Sequence, residues 1–129
     1  MPHFVIDCSE NILQQKSAAE IMQLVYDSAE ATGLFAKNDI KVRINPFKYY
    51  KPGDTKASFL HVFGYIMEGR SIAQRADLSK KIVDQLNRFL PGVPIISMNI
   101  AEFEKLTYCN KALLDPRNKN GDRHFQPAP

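Results

Sequence analysis

The fold is decided by the stretch MPHFVIDC at residues 1–8, which alternates in the way typical of a β-strand. Pro2, Phe4, Ile6 and Cys8 share one apolar face, and the residues between them take the other face. An apolar face of this kind is expected to pack on a core. Residues 1–8 therefore predict a strand that is covered on one side from the first residues of the chain.

Pro2 has two interpretations. A small residue after the initiator methionine is the context in which Met1 is normally removed, and removal would leave Pro2 with a free secondary amine. An α-amino group has a pKa of ~8, and partial burial lowers it, so such an amine could act as a general base at pH 7. Alternatively, Pro2 simply suits the start of a strand because it has no N–H to donate.

Composition predicts one globular domain over residues 1–129, with 44% hydrophobic and 24% charged residues. The net charge of +3 is mild and its lysines and arginines are scattered, which argues against a nucleic-acid partner. No signal peptide or membrane-length apolar run is found, so the predicted location is the cytoplasm. Cys8 and Cys109 have no metal-ligand or CxxC spacing; no metal is predicted, and Cys8 is expected to be a small buried hydrophobe.

Two helices are indicated by capping boxes, one at residues 17–20 and one at residues 71–74. The first helix ends before Gly33, with Ala29 assigned to its exposed side. The second helix ends before residues 91–92, a proline and a glycine.

Strands are predicted at residues 39–47, 58–67 and 93–100, and residues 102–106 either extend the last of these or form a short turn. The second of these is apolar on both faces, and His61 within it is expected to be a hydrogen-bonded core residue. Residues 48–56 form the connector, with a Pro-Gly turn.

Lys41 and Arg43 lie two residues apart on the polar face of the strand at residues 39–47. This pattern is typical of a solvated strand face. It is equally the arrangement of a cationic wall for an anionic ligand, because both side chains point the same way.

The order of elements is strand, helix, strand in each of two halves, at about residues 2–47 and 57–106. Each half reads as a βαβ unit, so the predicted class is an α/β fold with a four-stranded sheet and both helices on one face. The other sheet face is predicted to be apolar and covered by oligomerisation. Its expected apolar residues are Phe47, Phe59 or Phe63, and Ile96 or Met98. The polar tail at about residues 114–129 is either loose or docks on a partner subunit.

An ordered set of short segments carries a family resemblance over roughly residues 2–111. The segments are PHFVIDCS at 2–9, ATGLF at 31–35, FLHV at 59–62, GRS at 69–71 and EFEKL at 102–106. Together they make the chain similar to the 5-carboxymethyl-2-hydroxymuconate isomerases of the tautomerase superfamily.

The resemblance implies a homotrimer and a cofactor-free active site around an N-terminal proline, which is Pro2 here. In that family the proline nitrogen moves a proton along the conjugated system of a dienol acid, while cationic side chains hold the substrate carboxylates. Arg70 matches the family's arginine before the second helix, where a helix N-terminus suits an anion. His3 and His61 also match, and both are interpreted as structural.

One position departs from the family. Its second functional arginine matches Lys41 here, while Arg43 matches a further arginine two residues on. Lysine supplies charge but not a bidentate fork, so either Lys41 serves as a point charge or Arg43 takes the role.

The resemblance thus implies an isomerase of a small unsaturated 2-hydroxy or 2-oxo acid, with 5-carboxymethyl-2-hydroxymuconate in homoprotocatechuate breakdown as its sharpest form. Two alternatives stay open. One is a tautomerase of another enol, and the other is a non-catalytic trimeric binding protein of the same fold.

Overall fold

The computed structural model describes residues 1–117. Its elements are β1 (His3–Ser9), α1 (Ala18–Ala31), β2 (Lys41–Phe47), β3 (Phe59–Met67), α2 (Ile72–Phe89), β4 (Ile95–Phe103) and α3 (Lys111–Leu114). Short 3₁₀ turns at Glu10–Gln14 and Lys37–Asp39 lead into α1 and β2. The predicted strands and long helices are confirmed in number and order within this range.

The four strands form one sheet in the order β2-β1-β3-β4. The pairs β1/β2 and β3/β4 are parallel, and the antiparallel pair β1/β3 joins the two βαβ units at the centre. In this register His3 lies between Lys41 on β2 and Tyr65 on β3. The predicted fold class, with duplicated βαβ units in a four-stranded sheet, is confirmed.

Both long helices begin with a complete capping box, as predicted. The Ser17 hydroxyl accepts the Glu20 N–H at 3.1 Å, and the Glu20 carboxylate accepts the Ser17 N–H at 3.2 Å. Ser71 and Gln74 repeat the arrangement at 3.1 and 2.9 Å. Since a lone capping residue contributes about 1 kcal/mol, each box fixes where its helix starts. Gly33, with φ of 72°, ends α1 in a left-handed conformation.

The core lies between the two helices and one face of the sheet. Fully buried apolar side chains from all of these elements fill it; they include Phe4, Ile6, Ile21, Val25, Leu60, Val62, Leu78, Ile82 and Leu86. Two expectations about this layer are wrong. Ala29 is completely buried because it lies four residues after Val25 on the same helix face. Ile96 and Met98 pack against this core and not on the opposite sheet face.

The second face of the sheet, which we call the outer face, carries a mixture of aromatic, charged and amide side chains. Its residues are His3, Val5, Asp7, Lys41, Arg43, Asn45, Phe47, Phe59, His61, Phe63, Tyr65, Ile95, Ser97, Asn99, Ala101 and Phe103. Phe47 and Ile95 are about two-fifths exposed, at 40% and 41%. The outer face is therefore more polar than the sequence predicted, although aromatic rings still dominate its centre.

His61 is hydrogen-bonded as expected, but its location in the core is wrong. It lies on the outer face, where Nδ1 is 2.6 Å from Ser97 Oγ and Nε2 is 2.6 Å from Asn99 Oδ1. The apolar run around His61 conceals this position, because β3 is lined with aromatic side chains on the outer face too.

Further differences concern the end of the chain. β4 extends to Phe103, and α3 follows at Lys111–Leu114 with Asn110 Oδ1 accepting the Leu113 N–H at 2.9 Å. Of the predicted tail, residues 118–129 lie outside the described residues.

Both cysteines are free thiols. Cys8 is fully buried, as predicted, and burial raises the pKa of its thiol to about 11. Within residues 1–117, no helix combines the length and the apolar character needed to cross a lipid bilayer.

Candidate functional site

The N-terminal end of β1 is built around a buried Pro2. The Pro2 carbonyl accepts the Lys41 backbone N–H at 3.1 Å, which ties the start of β1 to β2. Met1 precedes it, so the Pro2 nitrogen belongs to an amide and the free amine is that of Met1. Burial, followed by the nearby Lys41 ammonium, lowers the pKa of the Met1 amine from 8.0 to about 6, against a smaller opposing effect of Asp39. An amine at this position is therefore neutral at pH 7.

Lys41 is the first residue of β2 and stands beside the amine. Its Nζ donates a hydrogen bond to the Asp39 carbonyl at 2.8 Å, which holds the ammonium at the chain terminus. The residue is exposed, so its charge is available to a ligand. Lys41 thus acts on the amine directly, because its charge lowers the pKa of the Met1 amine.

Arg43 lies two residues further along the same face of β2. Its Nη1 is 3.1 Å from Nδ1 of His3, so one arm of the guanidinium is directed at the neighbouring strand. Arg43 therefore lies next to the N-terminal end of β1, and its guanidinium is hydrogen-bonded to His3. Lys41 and Arg43 therefore have different surroundings, which their spacing in the sequence did not reveal.

Arg70 approaches from the helix side of the sheet. Its Nη2 donates to the Leu34 carbonyl at 2.7 Å, and its guanidinium carbon lies 5.3 Å from the centre of the Phe35 ring. The Phe35 ring in turn meets the Phe4 ring edge-on, with centroids 6.0 Å apart. Burial lowers the pKa of Arg70, but a guanidinium keeps its charge in proteins. The segment before α2 thus holds a partly desolvated cation.

The N-terminus of α2, which follows Arg70, has fewer N–H groups available to bind an anion than the sequence suggested. The capping box uses the N–H groups of Ser71 and Gln74, which leaves those of Ile72 and Ala73 outside it. The positive end of the α2 dipole remains. The charge of Arg70 is therefore the larger part of the anion-binding potential at this point.

The structure brings the four predicted site residues to one end of the sheet. Pro2, Lys41 and Arg43 meet where the parallel strands β1 and β2 begin. Arg70 follows the end of β3, and since β3 is antiparallel to β1, it reaches the same end. The cations lie on opposite sides of the sheet. Lys41 and Arg43 are on the outer face, whereas Arg70 lies against Phe35 on the helix side.

An aromatic cluster beside the amine was not predicted. The Phe103 ring meets His3 at 6.4 Å, Tyr65 at 5.9 Å and Tyr108 at 6.2 Å between centroids. The sequence could not place His3 and Tyr65 together, because their contact depends on the pairing of β1 with β3. Phe103 was left open, because residues 102–106 could either extend the last strand or form a turn.

Three grooves formed by residues 50–117 lie away from these residues. A groove of about 460 Å³ runs between α2 and the start of β4, lined by residues such as Val83, Asn87 and Ile96. We place the candidate site at the amine and not in this groove, because the perturbed amine and the cations are the groups able to carry chemistry. Among residues 1–117, no cluster of three or more His, Cys, Asp or Glu side chains could hold a metal ion.

Known proteins share both sequence and architecture with this chain. A family model for 5-carboxymethyl-2-hydroxymuconate isomerase matches residues 2–115. The 5-carboxymethyl-2-hydroxymuconate Delta-isomerase of Escherichia coli is 26% identical over 86 residues, which are 65% of this chain and 68% of that protein.

Two solved structures illustrate the shared fold. A 5-carboxymethyl-2-hydroxymuconate isomerase from Deinococcus radiodurans R1 superposes with a TM-score of 0.75 at 19% identity, covering 85% of this chain and 88% of the other. A fused 4-OT protein described as a symmetric trimer gives a TM-score of 0.69 at 16% identity, with 82% and 91% covered. Because the family model spans nearly all of the described residues, the chain belongs to the 5-carboxymethyl-2-hydroxymuconate isomerase family and is an isomerase of the tautomerase fold.

Proposed function

We propose that the chain is a cofactor-independent isomerase that moves a proton in a small unsaturated 2-hydroxy or 2-oxo acid. The substrate we favour is 5-carboxymethyl-2-hydroxymuconate, an intermediate of homoprotocatechuate breakdown, and Pro2 is the general base once Met1 has been removed. The observation that carries the proposal is the environment of the chain terminus, where burial and Lys41 lower the pKa of an amine to about 6.

Removal of Met1 would place the Pro2 amine at the start of the same strand. The hydrogen bond from the Lys41 N–H to the Pro2 carbonyl does not involve the nitrogen and would still anchor the residue. A neutral proline nitrogen has one lone pair, which takes a proton from the 2-hydroxy group or the adjacent carbon. The resulting prolinium returns that proton further along the conjugated system, so the nitrogen ends the cycle neutral.

Lys41 and Arg70 are the groups we assign to the substrate's carboxylates and to the negative charge of the dienolate. Lys41 stands beside the amine as a point charge, and Arg70 offers a guanidinium that is already partly desolvated. Partial burial strengthens such an interaction because water screens it less. The position of Arg43 next to His3 favours Lys41 over Arg43 as the direct ligand.

Self-association as a homotrimer completes the proposal. The aromatic rings of Phe63 and Tyr65 lie on the outer face, and Phe47 and Ile95 are partly exposed there. Related proteins of this fold are described as trimers. Covering the outer face with further copies of the chain would remove this apolar surface from water and close the space beside the amine.

A second enol substrate is favoured by one specific observation. Lys41 stands where the family resemblance expects an arginine, and an ammonium cannot make the planar two-point contact that a guanidinium makes with a carboxylate. A substrate with one carboxylate, such as a phenylpyruvate-like enol, makes less demand on this position.

The test compares processed protein with a matched blocked form. Intact-mass measurement should show loss of one methionine from the untagged chain, and this form should isomerise 5-carboxymethyl-2-hydroxymuconate. The blocked form carries one lysine inserted between Met1 and Pro2, because a large second residue keeps the methionine in place. It should fold and associate normally but lose at least 100-fold in turnover, since its proline nitrogen is an amide.

Equal turnover of the two forms would refute Pro2 as the base. Turnover of the processed form on another enol only would support the second substrate. No turnover on any enol, with binding of dicarboxylates retained, would point to the non-catalytic binding protein.

A further inference from the structure

His3 has a defined position beside the chain terminus. It lies on the outer face, between Lys41 on β2 and Tyr65 on β3. Nδ1 of its ring is 3.1 Å from Nη1 of Arg43. A guanidinium has donors only, so Nδ1 must accept this hydrogen bond and the ring proton must sit on Nε2.

The charges around His3 oppose a second proton on the ring. Burial is the largest effect, and Arg43, the terminal amine in its protonated form and Lys41 add to it, so the pKa of His3 is lowered from its ordinary value. Asp7 lies on the same face four residues along β1, where its carboxylate accepts a hydrogen bond from Asn45 at 3.3 Å. Tyr65 lies opposite His3 on β3 and is a further titratable side chain on this face.

The ring is also held in place on its far side. Phe103 meets it edge-on, with ring planes at 80°. Within the part of the chain that the structure describes, Nε2 has no hydrogen-bond partner. His3 therefore presents a neutral, oriented N–H group next to the terminal amine.

We propose that His3 donates a hydrogen bond from Nε2 to the substrate oxygen that gains negative charge during isomerisation, and that Arg43 is the positioning residue that holds the ring in this tautomer. The inference rests on the proposed function. No proton is transferred from the ring, which stays neutral throughout. A neutral imidazole held in this way can stabilise an oxyanion without giving up its own proton.

The first test reads the imidazole directly and does not depend on activity. Long-range ¹H–¹⁵N NMR spectra of the full processed chain report the pKa and tautomer of each of its three histidines, and His3→Gln identifies the signals of His3. The wild-type ring should be protonated at Nε2 only at pH 7. Arg43→Ala should raise the pKa of His3 and mix the tautomers. An unchanged pKa and tautomer in Arg43→Ala would overturn the positioning role.

The second test uses a pair of substitutions at His3. His3→Leu removes the donor and should lower kcat by about 100-fold with a smaller change in KM, as for other lost oxyanion donors. His3→Gln keeps an N–H donor of similar reach and should restore part of that loss. His61→Leu is the control, because His61 is also on the outer face but lies on β3. It should leave kcat within about twofold when the oligomeric state is unchanged.

The two proposals fail in different ways. A wild-type chain with isomerase activity and a fully active His3→Leu variant would overturn the role of His3 and leave Pro2 untouched. A wild-type chain without activity on any enol would remove the proposed function itself, together with the role assigned here to His3.

Discussion

The two βαβ units can be compared position by position, because Ser71 follows Ser17 by 54 residues (71 − 17) and both residues cap a helix. The residue before each cap is a cation, Lys16 in one unit and Arg70 in the other. Lys16 Nζ lies 4.6 Å from the centre of the Phe89 ring, and the Arg70 guanidinium carbon lies 5.3 Å from that of Phe35. Phe89 also follows Phe35 by 54 residues, so the two cation–aromatic pairs are equivalent.

The equivalence does not extend to the first residues of the two edge strands, β2 and β4. Lys41 begins β2 and lies beside the terminal amine, whereas its counterpart 54 residues on is Ile95, the first residue of β4. Around Ile95 the chain forms an apolar groove of about 440 Å³ with Tyr50, Pro52 and Phe59. One end of the sheet therefore combines an amine with cations, and the equivalent end is apolar.

On the proposed mechanism, this difference means that the duplication supplies the scaffold and the chain terminus supplies the base. A free amine exists at only one end of a chain, so a duplicated fold can build the proline site once. The predictions below test this asymmetry by comparing substitutions at equivalent positions of the two units.

The largest effect is expected from Arg70→Ala. It should lower turnover of a dicarboxylate by about 100- to 1,000-fold. The variant lacks the partly buried cation that we assign to the negative charge developing in the transition state. Steady-state kinetics with a monocarboxylate and a dicarboxylate measure the loss.

Lys16→Ala is the matched control, since it removes the equivalent cation from the other unit. It should leave turnover within about twofold and lower the free energy of unfolding only slightly, because a cation–π pair that is not deeply buried contributes about 0.5–1 kcal/mol. Equal losses of turnover in both variants would contradict the asymmetry.

A smaller effect is expected from Lys41→Ile, which gives β2 the residue that begins β4. The Lys41 ammonium lowers the pKa of the terminal amine, so its removal should raise that pKa. An amine acts as a base only when deprotonated, so the acid limb of the rate profile should move to higher pH. Turnover at pH 7 should follow the deprotonated fraction of the amine, which falls about twofold when the pKa rises from about 6 to ~7 and approaches a tenfold fall for each further unit. Lys48→Ile removes the lysine that follows the far end of β2 and should leave the acid limb of the rate profile in place.

The smallest effects are expected at the caps. Ser17→Ala and Ser71→Ala should each lower the free energy of unfolding by about 1 kcal/mol, because both remove the same hydrogen bond to the third N–H of the helix. Denaturant titrations measure this loss. A reduced turnover is expected only for Ser71→Ala, which lies next to Arg70. Unequal stability losses would show that the two units are less alike than their capping geometry suggests.

The sequence predicted the scaffold well because its signals are local. Alternation placed Phe4, Ile6 and Cys8 on the buried face of β1, and the capping boxes fixed both helix starts. The errors arose where a residue's environment depends on distant partners. Ala29 and His61 were misplaced because a small helical residue and a histidine in an apolar strand fit either face.

The candidate site was predicted in part. The N-terminal position of Pro2 and the family resemblance at Arg70 pointed to residues that lie at one end of the sheet in the structure. The different surroundings of Lys41 and Arg43 could not be predicted, because they depend on the pairing of β2 with β1 and the resulting contact of Arg43 with His3. The aromatic cluster around Phe103 likewise depends on how far β4 extends.

The most direct test of the central claim is a titration of the Pro2 nitrogen itself in the processed chain. Selective ¹⁵N labelling of proline and direct ¹⁵N detection can follow this amine apart from the other prolines, whose nitrogens are amides. We predict a pKa below 7, because the same burial and the same Lys41 ammonium act on it as on the Met1 amine. A pKa at or above the ordinary α-amino value of ~8 would contradict the account.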